Sequence, residues 1–126
     1  MVAEASLYAT ELRHAGGIDT DAMVLVGPTS YANDGIISVD YFSQNLTIDS
    51  YVDRIIAVSA YTPVLIIDDT DTGIWQNRFS DAITAGADIT VDYLLDEGIY
   101  NNHTAIDDLP AVRDLVTDWL TEKGLW

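Results

Sequence analysis

A chain of 126 residues, 48% of them apolar, is the size of one domain and can bury roughly two-thirds of the surface its unfolded form would expose, which excludes a disordered acidic tail. Twenty-one acids against five bases give a formal net charge of −16. That excludes a surface built to grip duplex nucleic acid, because such binding needs basic groups that displace counterions. Cysteine is absent, so neither a disulfide framework nor a thiolate metal site can form.

The opening MVAEASLY has no basic segment leading into an apolar run, and no window approaches 18 uninterrupted apolar residues. The expectation is a soluble, unexported protein forming a single domain over 1–126. Residues 3–15, AEASLYATELRHA, are helix-compatible and end at Gly16-Gly17, which suit a left-handed cap. Two strands are expected next, in MVLV and GIISVDYF, separated by the turn-rich GPTSYANDG. Helical spacing returns at Ile48, Tyr51, Val52, Ile55 and Ser59, and Thr62-Pro63 stops it. Val64 to Ile67 reads as a buried strand, and Asp68 to Gly73 (DDTDTG) as a loop.

Trp75, Phe79, Ala82, Ile83, Gly86, Ile89, Tyr93 and Leu94 then recur at spacings of three and four, with Asp81, Asp88, Asp92 and Asp96 between them. This predicts one long amphipathic helix with an acidic outer stripe. The last helix begins at Asp108 with Pro110 in its first turn. It buries Val112, Leu115, Val116, Trp119 and Leu120, and carries Lys123 at its negative end before Gly124. Together these elements give an α+β fold, a mostly helical small domain with a short β element in the middle third.

No catalytic constellation stands out. Asp68, Asp69 and Asp71 follow a strand, where α/β enzymes hold carboxylates, so a metal-dependent enzyme using the Asp68–Asp71 loop is one alternative. Against it, Ile74-Trp75-Gln76 does not continue a calcium-loop pattern, and a solvated acidic turn accounts for the loop as well. His14 and His103 have no second ligand at metal spacing, and there is no nucleophile elbow, phosphate loop or dinucleotide fingerprint. Neither a metal nor a cofactor is expected. Asn45-Leu46-Thr47 and Asn102-His103-Thr104 match the glycosylation sequon, which has no use in an unexported chain. The bases Arg13, Arg54, Arg78, Arg113 and Lys123 are scattered, so no basic patch forms, and Arg78 with Asp81 and Arg113 with Asp108 or Asp114 read as local pairs. An acidic inhibitor that mimics DNA is the other alternative.

Two resemblances extend this reading. The acids are biased to Asp and the sole lysine is Lys123, a composition that resembles proteins of extreme halophiles, in which short carboxylates keep a surface hydrated while salt screens their repulsion. The pattern Ala82, Ile83, Gly86, Ile89, Tyr93, Leu94, then Tyr100, a polar loop, and Pro110, Val112, Arg113, Asp114, Leu115 and Trp119 resembles the C-terminal half of head-tail connector (adaptor) proteins of tailed viruses. Tyr8-Ala9-Thr10 is similar to that family's opening, whereas Met23 to Ile67 departs from its helical bundle. The resemblance implies a structural virion protein without enzymatic activity. It would form a homo-oligomeric ring below the capsid portal, in the neck of the virion after assembly in the host cytoplasm. Its partners would be the portal and other neck or tail proteins, with DNA passing through the channel unbound and no membrane involved. The interface residues implied are Leu125, Trp126, Tyr100 and Lys123. Gly124 would turn Leu125 and Trp126 away from the helix, leaving them to find another surface.

Overall fold

The computed structural model describes residues 2–27, 36–41, 44–68, 73–94 and 110–126. Nine elements follow in order: α1 (Val2–Ala15), β1 (Met23–Val26), β2 (Ile36–Tyr41), β3 (Gln44–Thr47), α2 (Ile48–Val58), β4 (Val64–Asp68), α3 (Ile74–Thr84), β5 (Ile89–Tyr93) and α4 (Pro110–Glu122). The fold is α+β. A three-stranded parallel sheet in the order β1-β4-β5 carries the core, and β2 and β3 form a separate antiparallel pair.

β4 is central and buried along its whole length, as an unbroken Val-Leu-Ile-Ile run requires when both sheet faces are covered. Its register is Met23↔Val64 on one side and Val64↔Ile89 on the other. Alternate residues feed different cores. Val64 and Ile66 join Leu7, Met23, Leu25, Tyr51, Ile55, Trp75 and Phe79, beneath α1, α2 and α3. Leu65 and Ile67 meet Val112 and Trp119 of α4 on the opposite face.

This asymmetry follows from topology. The sheet is laid down in one direction, β1 to β4 to β5, and two crossovers of the same hand leave both connecting helices on one side. The second face is left to α4. Trp119 Nε1 donates to Thr90 Oγ1 (3.2 Å), while Ala22, Val24, Val26 and Leu94 around it are only half-buried.

One predicted element is corrected. The helix expected to continue to Leu94 ends at Thr84, and Ile89–Tyr93 is a strand. Gly86 takes φ 102°, a left-handed conformation that only glycine adopts cheaply, and Ala87 N–H closes the helix on Ala82 O at 2.9 Å. The β-branched Ile89-Thr90-Val91 then pairs with β4. The supposed acidic stripe is therefore dispersed: Asp81 lies on α3, Asp88 in a turn and Asp92 on β5, while Asp96 is outside the described residues. The segment Ala82–Leu94 that carries part of the connector resemblance is likewise divided between α3 and β5. The last helix matches expectation from Pro110 onward, and Asp108 lies outside the described residues.

Candidate functional site: the two ends of the sheet

At the carboxyl end of the sheet, β4 finishes on Asp68, which is only 4% exposed. Its Oδ2 accepts a hydrogen bond from Trp75 Nε1 (2.9 Å), and its backbone oxygen accepts one from Leu94 N–H (2.8 Å). The residue thus ties β4 to the first turn of α3 and to the end of β5. A solvated turn was expected here, and the burial of Asp68 corrects that. The signal was legible in retrospect: an Asp ending an unbroken apolar strand, seven positions before a Trp that opens a helix, must find a donor if both are buried. Asp69 and Asp71 lie outside the described residues, and among the described residues no cluster of three or more His, Asp or Glu is arranged to hold a metal.

The sheet geometry bears on this end as well. Ligand crevices in open parallel sheets sit where the strand order reverses, so that adjacent connections leave toward opposite faces. Here β1, β4 and β5 advance without reversal, and the described strands form no such crevice.

The amino end differs in every respect. α1 arrives there: Thr10 Oγ1 lies 3.9 Å from Met23 Sδ at the start of β1, and the His14 ring stacks on Tyr61 in the α2–β4 connection, with centroids 3.6 Å apart. His14 Nδ1 is 2.5 Å from Asp19 Oδ1, so this histidine joins three segments together. Tyr61 has its pKa raised, first by burial and then by the charges of Glu11 and Asp19. Glu11 is bonded to Arg54 Nε through both carboxylate oxygens, each at 3.1 Å.

α4 also ends at this side. Lys123 Nζ is paired with Asp88, in the turn before β5, and sits 5.9 Å from the centre of the Trp119 ring. Gly124 at φ 74° stops the helix, with Leu125 N–H on Leu120 O at 2.9 Å. Beyond it Leu125 is 42% exposed and Trp126 is 77% exposed.

Of the four interface residues expected from sequence, the structure therefore brings Lys123, Leu125 and Trp126 to one end of the sheet; Tyr100 lies outside the described residues. Lys123 spends its charge within the domain. Arg78 pairs with Asp49 of α2 at 2.6 Å, not with its helix neighbour Asp81. Sequence reasoning missed Leu12, Ile18 and Ile83, the remaining exposed large apolar residues among those described. Ile83 had been placed on a buried stripe that the end of α3 interrupts.

No protein-family model, curated protein or solved structure matches the chain. Among the described residues no helix is long and apolar enough to cross a membrane. What this end offers chemically is exposed apolar area bordered by ion pairs.

Proposed function

We propose that this chain is a structural assembly protein of the head-tail connector kind, from a halophilic host system, which forms a ring of copies below a capsid portal and docks through the residues that follow α4. The observation that carries this reading is the exposed Leu125–Trp126 pair, projected past a glycine stop while the helix before it is pinned by Lys123 and Trp119. Tryptophan is among the residue types most enriched at the centres of protein interfaces, and an enclosed one contributes about 2 kcal/mol or more. The Asp68 carboxylate, buried and engaged by Trp75, supports a structural role for that residue.

Light scattering in molar potassium chloride tests the reading. The expected result is a particle of several subunits that shrinks when Leu125→Ser and Trp126→Ser are combined, with the melting temperature of the domain nearly unchanged. A wild-type chain that stays monomeric at every salt and protein concentration would sink it.

A further inference from the structure

Helices α1 and α4 end in the same way. In each, a glycine takes a left-handed turn, Gly17 at φ 84° and Gly124 at φ 74°. The residue after it bonds back into the helix: Ile18 N–H to Arg13 O and Leu125 N–H to Leu120 O, both at 2.9 Å. That geometry lays an apolar residue against the side of its helix. At α1 it sets Ile18 beside the last turn, which carries Leu12, and the two are 58% and 55% exposed. At α4 it sets Leu125 beside the helix, while Trp126, one residue further, is left 77% exposed.

The two helix ends stand at opposite corners of the domain. α1 lies on the first face of the three-stranded sheet, where Leu7 enters the core and Thr10 reaches Met23 of β1. α4 lies on the second face, and its end is tied to the β5 side through Trp119 with Thr90 and Lys123 with Asp88. β1 and β5 are the two edges of that sheet. Within one copy the tail therefore does not cover the Leu12–Ile18 patch. Between copies the two can meet, and a contact between unlike patches repeats from each copy to the next, closing as a ring where the rotation allows.

Charge selects this pairing. Of the five cations, Arg54, Arg78 and Lys123 are in ion pairs with Glu11, Asp49 and Asp88, and Arg113 is also engaged. Arg13 alone has no side-chain partner among the described residues, in a chain with 21 acids, and it stands exposed next to Leu12. A free guanidinium beside two aliphatic side chains suits an aromatic ring accompanied by a carboxylate. Indole is the ring that holds a cation best, and Glu122, exposed and without a cationic partner among the described residues, stands in the last turn of α4 before the tail.

We infer that the Leu125–Trp126 tail of one copy seats on Leu12 and Ile18 of the next, with the Arg13 guanidinium over the indole and toward Glu122. The inference rests on the assembly reading above and adds the surface that receives the tail. Molar salt screens charges beyond about 3 Å, which suppresses the repulsion between acidic copies and leaves apolar burial and the stacked cation in force; at 10 mM salt the screening length of about 30 Å restores the repulsion.

Two measurements in molar potassium chloride test it. Arg13→Ala should raise the protein concentration needed for half assembly about tenfold, with the melting temperature of the domain unchanged. A concentration equal to that of the wild type overturns the seat. The second measurement uses the absence of cysteine. Ile18→Cys and Glu122→Cys are prepared separately, mixed in equal amounts below the assembly concentration, concentrated, and treated with a short bismaleimide. Crosslinked dimers should appear in the mixture, at up to about a quarter of the contacts because only one ordered pairing in four joins the two cysteines, and in neither variant assembled alone. Loss of the particle in Ile18→Cys, with its melting temperature kept, also places position 18 in the contact. Crosslinks within either variant alone would mean a two-fold contact, and particles that form without crosslinks in the mixture would mean that the tail seats elsewhere; both overturn the inference while the assembly reading stands. A wild type that never assembles overturns the functional reading itself, and this inference with it.

Discussion

The two faces of the sheet are built from the same central strand and differ in what covers them. The first face sets Val64 and Ile66 under three helices, with Tyr51, Trp75 and Phe79 forming an aromatic group whose neighbouring ring centres are 6.2 Å apart. The second face relies on one 13-residue helix, and outside β4 its strand residues stay half-buried. Hydrophobic stabilisation scales with apolar area removed from water, so the first face should dominate stability while the second holds α4 in place. The stable layer and the layer that precedes the proposed docking residues are thus different faces of one sheet.

Breaking the first face gives the largest expected effect. Trp75→Ala empties a buried aromatic site, worth about 3–5 kcal/mol, and strips the buried Asp68 carboxylate of its donor, for a total of about 5 kcal/mol or more. Denaturant titration in high salt measures it, and Trp75→Phe, which keeps most of the ring volume, separates the hydrogen bond from the packing. A loss below about 2 kcal/mol for Trp75→Ala would show that this face is not the dominant one.

Trp119→Ala breaks the second face. Its expected cost is about 3 kcal/mol, the low end for a buried aromatic, because its surroundings are partly open and can relax. Hydrogen exchange should show α4 amides losing protection while those of β4 keep theirs. Equal loss in both elements would mean that the two faces unfold as one unit.

Thr90→Val tests the link between α4 and β5 alone. It removes the acceptor for Trp119 Nε1 in a partly buried setting and should cost about 1 kcal/mol, read from the same titrations.

The smallest effect concerns pH. The pKa of Tyr61 is raised by burial, Glu11 and Asp19, so the folded state holds the phenol proton more tightly than the unfolded chain does. Its contribution is fully present below pH 10 and is lost as pH rises through the folded value, because the unfolded state then ionises first. Tyr61→Phe should flatten that part of the alkaline decline while keeping the stack on His14. Superimposable stability–pH curves for the two proteins between pH 9 and 12 would count against the assignment.

Most of the framework was legible because local signals and packing agree. β4 is an unbroken apolar run, α2 a clear amphipathic stretch stopped by Thr62-Pro63, and α4 has a proline in its first turn and a glycine at its stop. β5 was misread because Ile89 and Tyr93 fall by chance on a helical stride begun at Trp75. A left-handed Gly86 and three β-branched or hydroxyl-bearing strand formers outweigh that stride once β4 offers hydrogen bonds. Lys123, Leu125 and Trp126 could be picked from the sequence because a helix stop exposes whatever follows it. Leu12, Ile18 and Ile83 could not, because only the sheet brings the ends of α1, α3 and α4 to the same end.

The register of the sheet also bears on synthesis. Val64 meets Ile89, 25 positions further on, whereas Met23 must wait for Val64, 41 positions away. The longer closure costs about 0.4 kcal/mol more, a modest bias toward joining β4 and β5 first. Timing on the ribosome is the larger matter: at about 5–20 residues per second, β1 is complete roughly 2–8 s before its partner strand has been made. For that interval Met-Val-Leu-Val is an uncharged, strand-forming apolar segment without a place to go. Asp19 and Asp21 stand immediately before it, so that a growing sheet of stray chains would have to stack carboxylates. The two acids thereby act as gatekeepers that oppose aggregation of the nascent strand.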